Sequence, residues 1–181
     1  PPRVVTSPLR EPPEQAQRVE EWLAGVPTTV ARAGAAYDIG DDVRATVLWP
    51  QRIIRGSGSA PNNASVVLLV DVRGVRILLL GDVEPAAQVA LRTSLDPDGI
   101  HIVKVAHHGS RFQDPVLPAW TGSRAAIISV GAGNDYGHPA PETVQAWQWA
   151  GAVVARTDEH GDVAVVAGPP LALVPRRGSL D

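Results

Sequence analysis

The 181-residue sequence contains no cysteine. Disulfides and thiolate metal centres are therefore excluded, and any metal ion would have to rest on His, Asp or Glu. Long apolar runs are missing too. None approaches the roughly 20 residues a helix needs to cross a bilayer, and no basic segment leading into an apolar stretch opens the chain, so it reads as a soluble domain. Lysine is almost absent: of 16 cationic residues 15 are Arg and one is Lys104, in a background rich in Ala, Gly, Pro and Val that suggests a GC-rich genome. That lone ammonium is either a solvated strand-end residue or a placed charge. A strong excess of one charge is also lacking. A formal net charge of −3 and a pI near 5.9 supply no basic field, so any nucleic-acid contact must come from a local Arg patch.

What is present suffices for one core. With 44% hydrophobic residues the length suits a single domain, expected over 1–181 with flexible ends at 1–13 and 175–181. Residues 1–15 are proline-rich, read as a loop, and open as if cut from something longer. Ala16, Val19, Trp22 and Leu23 recur at helical spacing until Gly25 and Pro27, which predicts a short amphipathic helix over 14–24. Residues 28–32 and 43–48 read as two strands joined by a turn-rich connection. Residues 56–63 (GSGSAPNN) read as a flexible polar loop, mobile or facing a ligand. Two apolar runs, 65–72 and 75–80, flank Arg73 and Gly74, which predicts an antiparallel hairpin with both strands buried at the centre of the core. A helix over 85–95, a strand over 100–106, a helical piece near 116–120, a strand over 125–130, a helix over 141–150 and a strand over 152–156 follow. A final hairpin pairs 162–166 with 172–174. The class is α/β.

Three apolar runs end abruptly in polar residues. Residues 78–80 meet Gly81 and Asp82; 103–106 meet His107, His108, Gly109 and Ser110; 127–130 meet Gly131, Ala132, Gly133 and Asn134. Side chains at neighbouring strand tips converge on one sheet edge, where an α/β layer leaves a crevice. Asp82 is either the N-cap of the helix at Pro85 or a ligand, and beside the histidines the ligand reading gains, because carboxylate with imidazole suits Zn or Mn. If strand geometry persists through His107 and His108, they face opposite ways and one of them is the ligand. His107 is favoured, with His108 orienting the site or touching substrate. Lys104, three residues earlier on the same strand, is placed to meet phosphate oxygens. His138 on the next loop is a proton donor, phosphate contact, ligand or structural residue.

Five segments in this order, NASVVL (63–68), ILLLGD (77–82), KVAHHGS (104–110), SVGAGNDYGHP (129–139) and RTDEHG (156–161), resemble the C-terminal domain of ComEC-type competence proteins over residues 28–166. The resemblance implies a metallo-β-lactamase-like αββα sandwich, here its C-terminal half or a truncated version. It further implies a hydrolase of phosphodiester bonds in the non-transported DNA strand, single-stranded DNA as partner, and a soluble domain of a bacterial inner-membrane protein on its extracytoplasmic side. Carried over residue by residue, it makes Asp82 a metal ligand and places the later metal-binding His at the His107–His108 pair, of which the residue reading takes His107. The residue reading adds Lys104, His108 and His138 as catalytic groups and Ser110, Asn134 and Asn63 as substrate or phosphate contacts; by the resemblance, Asn63 stands where many members of the superfamily place another His. The superfamily's His-x-His-x-Asp-His motif is found nowhere in the chain, whose first histidine is His101. Asp82 with one or two His falls short of the ~3–5 protein ligands of a hydrolytic centre. The expectation is therefore either a portion whose partner half lies upstream, next to a membrane channel domain, or a metal-poor relative. Two alternatives remain: a non-catalytic module guiding DNA through Arg52, Arg55, Arg73 and Arg76, and a small-ester hydrolase acting on a phosphoester or lactone.

Overall fold

The computed structural model describes residues 3–168 and 171–180. In chain order it contains β1 (Val4–Thr6), α1 (Pro13–Trp22), β2 (Thr28–Val30), β3 (Ala36–Ile39), β4 (Val43–Trp49), α2 (Ala60–Asn63), β5 (Val67–Val72), β6 (Val75–Leu79), α3 (Pro85–Ser94), β7 (Ile102–Lys104), a 3-10 turn (Ala106–Gly109), α4 (Leu117–Thr121), β8 (Ala125–Ile128), α5 (Pro141–Trp149), β9 (Val153–Arg156), α6 (Thr157–His160), β10 (Val163–Val166) and β11 (Ala172–Pro175). Seven strands form one mixed sheet in the order β3-β4-β5-β6-β7-β8-β9. The ladders from β3 to β6 are antiparallel and those from β6 to β9 parallel. This mixed α/β layer is the expected class.

The hairpin on Arg73 and Gly74 forms as its sequence predicts, Leu69 opposite Leu78 and Val72 opposite Val75. Both turn residues have positive φ, 51° and 83°, the geometry of a two-residue hairpin connection matching strand twist. Other expectations fail for identifiable reasons. Residues 28–30 pair with β1 in a parallel ladder, not with β4, so residues 4–6, read as loop, are strand. On the side away from β5, β4 pairs antiparallel with β3, whose four residues are hidden in sequence between Gly34 and the Gly40-Asp41-Asp42 turn. Residues 60–63 are a short helix capped by the Ser59 side chain, where a flexible loop, mobile or facing a ligand, was expected. Of the expected flexible ends, residues 1, 2 and 181 lie outside the described residues.

The two faces of the sheet differ. Leu78, Val103 and Ala126 occupy one register row and join α3, α4 and α5 in the core, with Leu80, Leu91, Leu117 and Trp147 almost fully buried. Helix α3 contributes because Ala87, Ala90 and Leu91 recur at three- and four-residue spacing; each fully buried Leu is worth about 1.5–3 kcal/mol. The other face carries Ala45 and Val47, which are buried, and Val43, Leu68, Val70, Val72, Val75, Ile77, Leu79 and Ile127, apolar yet half-buried. The expectation that β5 and β6 are buried as the centre of the core is thus met on one face only. At the antiparallel end the helix-side row is polar, with Arg44, Asp71 and Arg76.

Candidate active site at the ends of the parallel strands

Strands β6, β7 and β8 point the same way, so the segments after them gather at one edge. Gly81 lets the chain leave β6 with φ +57°; a Cβ there would lie 2.8 Å from the Ser65 Cβ, which requires glycine. The Asp82 amide then donates to Ser65 Oγ at 3.1 Å, fixing the aspartate at the edge. Asp82 is not the helix cap. That position is Glu84, directly before Pro85.

Strand β7 ends at Lys104, so His107 does not share its strand, and the rule of alternating faces does not apply. His107 and His108 have φ of 47° and 52°, left-handed values costing roughly 1–2 kcal/mol per non-glycine residue. Contacts on both sides hold this turn: His107 N donates to Gly81 O at 3.0 Å, and Ser110 N to His107 O at 2.8 Å. The turn sends the two imidazoles to different partners. His108 Nδ1 lies 2.6 Å from the Ser129 carbonyl, and because a carbonyl only accepts, Nδ1 carries the proton. Nε2 faces Asp82 Oδ1, 3.6 Å away. A carboxylate and an imidazole nitrogen facing one another call for positive charge between them, a proton or a cation. It is His108, rather than the favoured His107, that the fold brings to Asp82.

His107 looks elsewhere. Its Nδ1 is buried without a hydrogen-bond partner, and Glu84 Oε1 is 3.9 Å away. Its ring meets His138 edge-on at 5.5 Å between centroids. The pKa of His138 is lowered, first by burial and then by His107 and His108; Arg111 adds to this, while a backbone hydrogen bond at Gly137 opposes it. Lys104 is part-buried, donates from Nζ to Gly81 O at 3.3 Å, and stands 4.0 Å from Asp82 Oδ1. Burial pushes its ammonium pKa down while Asp82 pulls it up. Its register neighbours are Leu79 and Ile127, so the site opens on the half-covered face of the sheet.

The remaining candidates are engaged in hydrogen bonds within the chain. Asn63 is fully buried; its carboxamide donates to Ser57 O and accepts from Glu84 N, and its carbonyl accepts from Trp49 Nε1. Ser110 is also fully buried, its Oγ accepting from Phe112 N. Asn134 binds its own loop, donating to Gly131 O and His138 O and accepting from Tyr136 N and His138 N. Sequence reasoning missed Glu84. Almost buried, it accepts from Ser59 N at 2.8 Å and Asn62 Nδ2 at 2.9 Å, pinning the 57–63 segment beside the site. An acid immediately before a helix-starting proline was the available signal.

Asp82 and His108 have the donor chemistry for Zn or Mn, but among the described residues no three His, Asp or Glu side chains form a set able to hold a metal ion. About four ligands are needed, so these residues alone do not fit a metal centre. The four arginines of the DNA-guiding reading do not gather at this edge. Arg55 pairs with Glu11 and Arg73 with Asp42, Arg76 bonds the Asp98 carbonyl, and Arg52 lies over the Trp49 ring. Arg73 and Arg76 sit at the opposite end of β6 from Asp82.

No family model matches the chain. It is 30% identical over 165 residues to ComE operon protein 3 of Bacillus subtilis (strain 168), an alignment spanning 88% of this chain and 20% of that protein. Its fold matches a crystal structure from Parabacteroides distasonis provisionally assigned as a metal-dependent hydrolase, with a TM-score of 0.53 and 12% identity over 86% of this chain and 76% of that one. Among the described residues no helix is long and apolar enough to cross a membrane. The chain is thus similar in sequence to a stretch of a ComEC-type competence protein that makes up one fifth of that protein's length, and its mixed α/β fold matches that of the hydrolase structure.

Proposed function

We propose that this chain is part of a ComEC-like DNA-uptake protein whose metallo-β-lactamase-like domain hydrolyses phosphodiester bonds of the strand that is not transported. The chain supplies one side of that site. A segment bearing the His-x-His-x-Asp-His motif, packed on the half-covered face of the sheet, supplies the other. The observation that carries the reading is the Asp82–His108 pair, a carboxylate and an imidazole nitrogen 3.6 Å apart beside Lys104, at the edge of an apolar face most of whose residues are only half-buried. A second layer there would complete the core and border the site together.

The chain's own groups suit a phosphodiester. Lys104, anchored by the Gly81 carbonyl, has ammonium hydrogens left for a phosphate oxygen. His138, whose pKa is lowered, favours the neutral imidazole and is placed to accept a proton, becoming an imidazolium as it does so. Arg111 raises the positive potential at the loop. In this reading the domain sits outside the inner membrane of a bacterium and is carried by a membrane-spanning parent. Hydrolysis belongs to the completed domain.

The test compares the bare chain with the chain joined to the segment that precedes it in its coding sequence. Metal content and cleavage of a single-stranded oligonucleotide are measured with Zn and Mn. The bare chain is expected to hold no stoichiometric metal and to cleave nothing, and the joined form to do both. Full activity of the bare chain would overturn the two-part reading, and a joined form that binds metal but leaves DNA intact would overturn the nuclease reading.

A further inference from the structure

Two aromatic side chains beside the site have no role in the core. Tyr136 is 82% exposed and Phe112, the chain's single phenylalanine, is 58% exposed. Leaving large apolar rings in water is unfavourable unless something covers them in use. They lie on segments that meet: Ala140 N donates to Gly109 O at 2.8 Å, and Thr143 Oγ1 to Ser110 O at 2.8 Å, locking the 107–113 segment to the end of the 131–139 loop.

The Tyr136 loop is built to hold its ring. All four Asn134 carboxamide bonds stay inside the loop. Behind it, Tyr136 stacks on His138, with centroids 6.1 Å apart and planes 24° off parallel, and His138 in turn meets His107. The outer face of Tyr136 is thus presented on a preformed support that begins at the site itself, with Arg111 next to Phe112. A flat ring beside cationic groups that suit a phosphate is the pairing that unstacked bases recognise. A duplex hides its bases, so the matching ligand is single-stranded.

We propose that Tyr136 and Phe112 form a base-stacking subsite for single-stranded nucleic acid, holding nucleotides that flank the phosphodiester at Asp82, Lys104 and His138. This rests on the phosphodiester reading above and names how that substrate is gripped. The bases are read through their faces, so binding is tolerant of sequence.

The probe is fluorescence anisotropy of the full chain with a labelled oligo-dT, an abasic oligonucleotide of equal length, and a duplex, without added metal so that nothing is cleaved. Oligo-dT is expected to bind more tightly than the abasic strand and the duplex. Tyr136→Ala should weaken oligo-dT binding by roughly tenfold, and Phe112→Ala by a similar or smaller factor, while abasic binding stays unchanged. Arg111→Ala should weaken oligo-dT and abasic binding alike. Both rings are exposed, so unchanged melting temperatures verify the fold. Equal affinity for oligo-dT and the abasic strand, or a Tyr136→Ala chain that keeps their ratio, overturns the subsite. Because affinity is read without cleavage, a failed nuclease assay on the completed domain would count against the phosphodiester reading alone.

Discussion

Replacing Glu84 with Ala removes an acceptor whose two hydrogen bonds join separate parts of the chain. The Glu84 side chain is 11% exposed, and its carboxylate accepts from Ser59 N at 2.8 Å and Asn62 Nδ2 at 2.9 Å. A hydrogen bond to a charged group contributes about 1.5–3 kcal/mol, and a buried donor left without a partner costs about 1–3 kcal/mol. Both donors are only part-buried, so water recovers some of this. A net loss of about 3 kcal/mol follows, taking the lower end for each bond. For a chain of this length it corresponds to a fall in melting temperature of roughly 6–12 °C. Glu84→Gln keeps one accepting oxygen and should lose about half as much. Urea denaturation of the metal-free chain gives the free energies, and limited proteolysis around residues 57–63 reports whether the segment is released. A Glu84→Ala chain within about 1 kcal/mol of the parent, with the segment still protected, would refute the claim that this carboxylate pins it.

Trp147, 1% exposed beneath the sheet, should cost about 3–5 kcal/mol when cut to Ala, read by the same denaturation curves. His108→Val forces a β-branched residue into φ +52° and should destabilise by about 1–2 kcal/mol, whereas His108→Gly should stay near the parent in stability; equal effects of the two would deny the strain. The lowered pKa of His138 means that the unfolded chain binds a proton more readily than the folded chain between the folded-state value and 6.5. Stability of the metal-free chain should therefore fall as pH drops from 6.5 through that window, and a His138→Asn chain should show a shallower fall on the same pH series.

Local pattern carried the parts of this fold that local forces decide. Helix α3 is legible because its apolar spacing, starting proline and terminating Asp-Pro-Asp-Gly agree, and the β5–β6 hairpin because two apolar runs flank a two-residue turn. The parallel pairing of β1 with β2 rests on contacts some 24 residues apart along the chain, which no local pattern encodes. The site divides the same way. Asp82 and the histidine pair stand out as polar residues at strand tips, but the choice between His107 and His108 depends on two left-handed residues that L-amino acids seldom adopt. A strand rule could not foresee a turn held by Gly81, Ser110 and Ser129. Glu84 was hidden because its partners come from a segment more than 20 residues upstream.

The sheet's half-covered face bears on the same question. Along β4, β5 and β6 the positions 43, 45 and 47, then 68, 70 and 72, then 75, 77 and 79 are all apolar, Ala45 and Val47 buried and the other seven half-buried, while the row of 44, 71 and 76 between them is charged. At this end of the sheet, then, the apolar residues face away from the helices, an arrangement that solvent disfavours at about 25 cal/mol per Å² of apolar surface. Lys104 projects from that same face at its site edge. A layer laid on this surface would remove water from the apolar rows and enclose Asp82, Lys104 and His108 in one step, raising every electrostatic interaction among them. Binding of such a layer and completion of the site are thereby coupled. Urea midpoints of the joined form should rise above those of the bare chain even without metal, and a midpoint that does not move would show that the layer packs elsewhere.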